Sequence, residues 1–374
     1  MRPTSMRNSP VQDRPTAERL SSGKCDRLTG RAGCCQAPLP MMSELKWQLA
    51  RALMWDAGRG SLSAASRRTR RLARGSRFLL RWHWGWARHN LRLVYGPELA
   101  ERELDTLARL SIESHFLSVL EGYRARELEV RLTTSEALER LREITRGGSG
   151  GIVVALHLGG WEAGIRELSR RGLPVTVVYQ PPADPRLEAA FAAARAGSEI
   201  EWIPLLRPLH AVRALQRGRL LALMLDSDLG NARVQASFLG VSARLPAGVA
   251  RLALRFGVPI IPALAARVED GVAELRVGEP IFATASLDAA AAETTGITTR
   301  VCSALEPWVH EFAEQYDWTN PVWRDRPDGR RWTLREPIES HWRERETEFS
   351  AVSVRVRRLI APASSIAVDS RRRA

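Results

Sequence analysis

The sequence predicts an α/β fold, a mixed and largely parallel sheet flanked by helices, with an N-terminal helical membrane-associating extension. Three observations predict it. Short apolar runs recur along residues 101–325 and alternate with segments of helical periodicity, the pattern of strands joined by crossover helices. The clearest of these runs is continuously apolar, as a strand buried on both faces reads. Finally, 374 residues can bury one substantial core and still leave room for extensions.

The elements follow in chain order. Residues 1–40 carry scattered proline, serine, glycine and arginine and no continuous apolar stretch, so they read as a disordered leader and not as a signal peptide. Met41-Met42 stands directly before Ser43-Glu-Leu-Lys-Trp47, and the native start is expected there. Residues 41–100 form a basic, Arg/Trp-rich helical segment. Helical periodicity covers 101–130 and 134–146. Gly151-Ile-Val-Val-Ala-Leu156, β-branched at its centre and preceded by glycines, is a predicted strand over 151–156. Gly159 and Gly160 break it, and Glu162 to Arg170 returns to helical spacing, giving a helix over 161–171. Further strands are expected at 174–179, 200–204, 219–225, 234–238, 258–264 and 272–277, and further helices at 185–196, 208–217, 247–256 and 298–315. Residues 101–325 make the expected principal domain. Residues 326–374 are a C-terminal extension with a flexible basic tail, and no internal repeat is present.

The net charge of +14 is unevenly placed. Residues 41–100 hold twelve Lys/Arg against three Asp/Glu, while 101–350 is slightly acidic. Arg67-Arg-Thr-Arg-Arg71, Arg74 and Arg77 lead into Phe78-Leu-Leu-Arg-Trp82-His-Trp84-Gly-Trp86. Indole rings beside guanidinium groups suit a membrane headgroup layer, where each cation near an anionic surface contributes on the order of 1 kcal/mol. No run reaches the roughly 18 apolar residues of a spanning helix, so residues 67–92 are expected to attach to the surface, peripherally or monotopically. Nucleic acid competes for such a stretch, since its phosphates attract the same cations and its bases stack on the same rings. No nucleic-acid fold signature accompanies it, and none is expected as a partner. A solvated basic surface without a ligand is the third reading.

His157-Leu-Gly-Gly-Trp161-Glu162 carries the chemistry. It sets an imidazole at the carboxyl end of a predicted strand, the edge where open α/β sheets assemble their sites. Five positions apart on a continuous helix, two side chains diverge by roughly 140°. His157 and Glu162 therefore meet only if Gly159 and Gly160 turn the chain. A neutral histidine can take the proton of a substrate hydroxyl while a carboxylate fixes its tautomer, and amides after the turn could stabilise an oxyanion. A strand-end histidine is otherwise a hydrogen-bonded structural residue. The apolar run 220–225 ends in Asp226-Ser-Asp228, so Asp226 shares the edge with His157 if the strands are parallel. Two acids so close call for solvent, an arginine or a metal, unless they cap the next turn.

This stretch resembles the His-x4-Asp/Glu signature of the bacterial lipid A late (lauroyl/myristoyl) acyltransferases and of the related phosphatidylinositol mannoside acyltransferases. Val178-Tyr-Gln-Pro-Pro182, Asp184-Pro-Arg-Leu187, Arg195, Gly218 to Asp228, Phe238-Leu-Gly240, Ala243-Arg-Leu-Pro-Ala-Gly248, Gly257-Val-Pro-Ile-Ile-Pro262 and Glu306-Pro-Trp308 to Tyr316-Asp-Trp318 follow in the family's order over residues 45–325. The resemblance implies that His157 is the general base and Glu162 its partner. It implies that Gly159, Gly160, Trp161, Arg195, Asp226, Asp228 and Arg244 contact substrate. The implied reaction moves a fatty acyl group from acyl carrier protein to a hydroxyl of a lipid A precursor, without metal or cofactor, on the cytoplasmic face of the inner membrane. Acyl-CoA-dependent transfer to a phosphatidylinositol mannoside is the alternative, and Arg244-Leu-Pro-Ala-Gly248 resembles those enzymes equally. A lipid- or nucleic-acid-binding protein on a degenerate scaffold is the non-enzymatic reading, against which intact His157 and Glu162 count. The chain departs from many relatives at Ser227, where they carry a bulky or amide residue, and in lacking a spanning segment near its start.

Two other signals lead elsewhere. Gly147-Gly-Ser149-Gly-Gly151 matches Gly-x-Ser-x-Gly, but Ser149 precedes the strand, whereas a nucleophile elbow follows one. Cys25, Cys34, Cys35 and Cys302 have no zinc spacing and imply no structural disulfide, and His83, His89, His115 and His210 show no ligand spacing.

Overall fold

The apolar runs assemble into a seven-stranded sheet in the computed structural model, which describes residues 40–78, 80–227, 232–283, 290–324 and 331–334. The strands are β1 (Glu129–Leu132), β2 (Gly151–Ala155), β3 (Val175–Tyr179), β4 (Glu201–Pro204), β5 (Leu220–Met224), β6 (Arg233–Phe238), β7 (Val241–Pro246), β8 (Ile260–Glu269) and β9 (Val272–Val277). Their order across the sheet is β1-β9-β8-β2-β5-β3-β4, and β6 with β7 forms a separate hairpin. Neighbours in the large sheet are parallel except β8 and β9. The helices are α1 (Pro40–Ala57), α2 (Leu62–Gly75), α3 (Arg81–Tyr95), α4 (Glu101–Tyr123), α5 (Ser135–Arg146), α6 (Trp161–Arg170), α7 (Pro185–Arg195), α8 (Pro208–Gln216), α9 (Gly248–Phe256) and α10 (Ala290–Glu311). The α/β class expected from the sequence is the class observed.

Strand pleating distributes each central strand between two cores. Ile152 and Val154 of β2 join Leu221, Ile260 and Leu264 on one face, under Leu91, Val249 and Leu305 from α3, α9 and α10. Val153 joins Leu220, Ile261 and Ala263 on the other, under Leu141 and Leu168 from α5 and α6. Burial on both faces is why β2 reads as a continuous apolar run.

Four elements differ most from the sequence expectation. The helix expected over 101–130 stops at Tyr123, and Glu129-Val-Arg-Leu132 becomes an edge strand with alternating exposure. The hairpin strand β7 was not expected. It begins after a two-residue turn in which both Leu239 (φ 53°) and Gly240 (φ 69°) lie in the left-handed region, as tight hairpins require. A leucine there is unusual; its amide donates to the Glu306 carboxylate at 2.7 Å, and its side chain is buried in the core. The last long helix starts at Ala290, ahead of the expected 298.

The basic segment is only partly a surface feature. Trp84 and Trp86 are buried and belong, with Leu91, Leu93 and Tyr95, to the main core, which corrects the expectation that the whole Arg/Trp run faces a membrane. Arg68, Arg70 and Arg74 are engaged by Asp56, Asp270 and Glu113. Leu72, Phe78 and Trp82 remain exposed. Among the described residues no helix is long and apolar enough to cross a membrane. The leader up to residue 39 with Cys25, Cys34 and Cys35, Asp228, and the tail from residue 335 lie outside the described residues; Cys302 is buried in α10.

Candidate active site

Strands β2 and β5 are parallel neighbours whose register pairs Ala155 with Met224, so two residues further on His157 and Asp226 leave the sheet side by side. The Asp226 side chain is 0% exposed. A buried carboxylate needs donors, and it has three: Oδ1 meets His157 Nδ1 at 2.8 Å, and Oδ2 accepts the His157 amide and Asn320 Nδ2, each at 3.0 Å. With Asp226 ionised the ring donates from Nδ1, which leaves the Nε2 lone pair as its open function. The His157 side chain is 34% exposed where it lines the adjoining cavity.

The segment after α10 closes over this edge. Leu158 bridges to Tyr316, and the Asp317 amide donates to the His157 carbonyl at 2.9 Å. The Asp317 carboxylate in turn meets His115 Nδ1 at 2.9 Å. The Tyr316 phenol is buried near Asp226 without a well-formed hydrogen bond, and burial first, then the negative charge of Asp226, push its pKa far up. Desolvation works to lower the pKa of His157, but the charge of Asp226, its hydrogen bond, and then Asp317 outweigh it and raise the imidazole above its ordinary value.

The glycine turn does what the sequence required of it, but with different partners. Gly159 has φ 62°, and a Cβ there would stand 2.2 Å from the Ala265 carbonyl oxygen. The Gly159 amide donates to the Gln315 carbonyl at 3.3 Å, and the Gly160 amide donates to that of Ala265 at 2.9 Å. These two amides, which lie within the turn, are therefore committed to the protein. The expected contact between His157 and Glu162 is replaced as well. The turn starts α6 at Trp161, and its second residue is carried toward α4 and α7. The Glu162 carboxylate lies beside Gly122, where a Cβ would come within 3.2 Å, and accepts from Arg195 Nη2 at 2.6 Å. Arg195 ends α7, with its guanidinium 3.9 Å from the Trp202 ring centroid and within reach of Tyr179 and Phe191.

An apolar cavity of about 460 Å³ opens beside His157. Val153, Ala155, Ala222 and Ala263 of the sheet and Gly164 and Leu168 of α6 line its depth, and Trp161, Arg195 and Ser227 also border it. This volume falls within the roughly 300–1,000 Å³ typical of ligand sites. The Trp161 and His157 rings meet edge to face at 6.4 Å. Arg244 is exposed on β7, in the separate hairpin, and does not border the cavity. The site thus joins His157 and Asp226, sets Glu162 and Arg195 together as a second pair, and leaves Arg244 apart. Asn320, Asp317 and His115 were not singled out from the sequence as site residues; the only signal near them was the late Tyr316-Asp-Trp318 segment, which says nothing of where it packs.

The model of the bacterial lipid A biosynthesis acyltransferase family matches residues 61–325. The phosphatidylinositol mannoside acyltransferase of Mycolicibacterium smegmatis is 26% identical over 296 residues, which cover 76% of this chain and 91% of that protein. The phosphatidylinositol mannoside acyltransferase of Mycobacterium tuberculosis is 29% identical over 202 residues, 50% of this chain and 63% of the relative.

Proposed function

Because this chain belongs to the bacterial lipid A biosynthesis acyltransferase family, and is an acyltransferase, we propose that it acylates a glycolipid hydroxyl from a fatty acyl thioester, with His157 as general base and Asp226 as the carboxylate that orients it. The observation that carries the reading is the 2.8 Å contact between His157 Nδ1 and the buried Asp226, which presents Nε2 beside an apolar cavity. In the reaction, Nε2 takes the proton of the acceptor hydroxyl as its oxygen attacks the thioester carbonyl carbon. Collapse of the tetrahedral adduct breaks the C–S bond, and the departing sulfur takes the proton from the imidazolium, which Asp226 has stabilised meanwhile. No acyl-enzyme is required.

The cavity lining supports placement of the donor chain there, since each methylene removed from water contributes about 0.8 kcal/mol. Glu162 and Arg195 take a positioning role in this reading: their ion pair joins the first turn of α6 to the end of α7 and fixes two walls of the cavity. Trp161 and Ser227 border the acyl site. Arg244 has no part in it.

The names of the relatives support a phosphatidylinositol mannoside as acceptor, in this reading through a sugar hydroxyl; the lipid A precursor rests on the family's name. The donor is a thioester of acyl carrier protein or of coenzyme A. Exposed Leu72, Phe78 and Trp82 beside Arg71, Arg77 and Arg81 support attachment to a membrane surface, which in this reading is the cytoplasmic face of the inner membrane. The test is transfer by purified protein from palmitoyl-CoA and from palmitoyl-acyl carrier protein, each onto a phosphatidylinositol mannoside and onto a lipid A precursor, read by product mass. Gain of one acyl mass on the mannoside that is lost in His157→Ala supports the reading; acylation of the lipid A precursor alone overturns the acceptor, and no acylation of either lipid overturns the function.

A further inference from the structure

The donor chain accounts for one cavity, but the acceptor also carries fatty chains. A second apolar cavity, about 550 Å³, lies between α1, α2, α4 and α7. Leu53 and Met54 of α1, Leu72 of α2 and Ile112, Val119 and Leu120 of α4 supply much of its wall. It is joined to the candidate active site in two ways. Phe191 lines both cavities. His115, 52% exposed, borders the second cavity and is held by Asp317, whose amide is bonded to the His157 carbonyl. Asp317 therefore ties one wall of this cavity to the residue that faces the reacting hydroxyl.

The outer rim has the character of a lipid entrance. Leu72 and Val119 line the cavity and are also exposed at 42% and 49%. Phe78 and Trp82 stand exposed on the connecting segment and on α3, and Arg67, Arg71 and Arg77 are exposed on and just after α2. An apolar rim beside exposed guanidinium groups complements a chain-bearing molecule with an anionic phosphate.

We propose that the cavity between α1, α2, α4 and α7 receives a fatty chain of the phosphate-bearing acceptor lipid, so that donor and acceptor chains occupy separate cavities while the donor's thioester carbonyl and the acceptor's headgroup hydroxyl meet at His157. The proposal rests on the acyltransferase reading of the His157 site and deepens it. It gives the N-terminal helices a place in substrate binding as well as in membrane attachment, and it makes a lipid with intact chains a better acceptor than its deacylated headgroup.

The first test needs no turnover. The full chain is bound to phosphatidylcholine vesicles containing phosphatidylinositol with a diazirine at mid-chain, irradiated, digested and mapped by mass spectrometry. Adducts on residues 50–57 and 112–123 support the proposal; adducts confined to 76–84 or to the donor cavity at 153–168 overturn it. The second test compares a diacyl acceptor with its chainless headgroup in Val119→Trp and Ala50→Trp, two variants at partly exposed helix positions. The KM for the diacyl acceptor is expected to rise about tenfold relative to that for the headgroup. An unshifted ratio in both variants overturns the proposal. Failure of wild-type transfer to either acceptor would instead strike the acyltransferase reading, while the labelling result would stand by itself.

Discussion

Replacing Asp226 by Asn changes one atom in the site and reverses a proton. The Asp226 Oδ2 atom accepts two N–H groups, from the His157 backbone and from Asn320. In the variant the amide oxygen keeps those donors, and the new NH₂ group must then face His157 Nδ1. That forces Nδ1 to accept and puts the ring proton on Nε2, where it blocks proton abstraction. The loss is the whole general-base contribution, about 10²–10⁴-fold in kcat, with little change in KM. The pH dependence follows with a definite sign. His157 must be neutral to act and its pKa is raised, so wild-type activity climbs with pH along a limb above the ordinary histidine value of about 6.5. Without the carboxylate the rise of the residual activity moves to lower pH. Steady-state acyl transfer between about pH 5 and 9 reads both effects. A folded Asp226→Asn protein within about threefold of wild type, with its limb in place, would refute the assignment.

Glu162→Gln is expected to behave differently: breaking a nearly buried ion pair with Arg195 costs on the order of 3 kcal/mol, read as a lower Tm, while the pH limb stays where it is. A displaced limb would return Glu162 to the role of His157's partner. Gly159→Ala puts a methyl against the Ala265 carbonyl at a positive φ, and denaturant unfolding should show a loss of at least about 2 kcal/mol. Ala222→Leu fills part of the donor cavity and should shift preference toward acyl chains shorter by about two methylenes, measured in competition between thioesters. His115 also has a raised pKa: packing works to lower it, but its hydrogen bond to Asp317 and that carboxylate's charge prevail. Its contribution to stability is therefore fully present below the unfolded value of about 6.5 and lost as pH rises through the folded value. The Tm difference between wild type and His115→Gln should shrink between about pH 6 and 9, and a widening difference would contradict the sign.

Local chemistry wrote much of this fold into the sequence, and long-range pairing wrote the rest. β2 was legible because a strand buried on both faces has to be apolar throughout, and the turn after it because only glycine tolerates the approach of Gly159 to Ala265. The common edge of His157 and Asp226 was legible too. Their contact was not, since it depends on β5 lying next to β2 with a register that no local pattern encodes. Glu162 misled because five residues of sequence say that two side chains are near, whereas the first turn of α6 decides which way the second one faces. The hairpin strand β7 was hidden by Leu239, a residue whose side chain belongs to the core while its backbone takes the turn conformation. Trp84 and Trp86 look in sequence like membrane-interface residues, and only the packing of α3 shows that they are core. The second cavity is made where the paired helices α1 and α2 meet α4 and α7 from further along the chain, so no local pattern announces it.

The central claim is that the imidazole of residue 157 removes the acceptor's proton. Single-turnover transfer from an excess of protein preloaded with acyl thioester, for wild type and His157→Ala across pH, isolates that step from product release. The account predicts that the variant still binds the thioester, reacts about 10²–10⁴-fold more slowly, and loses the rising limb. Transfer at the wild-type rate by the variant, with the limb intact, would contradict it.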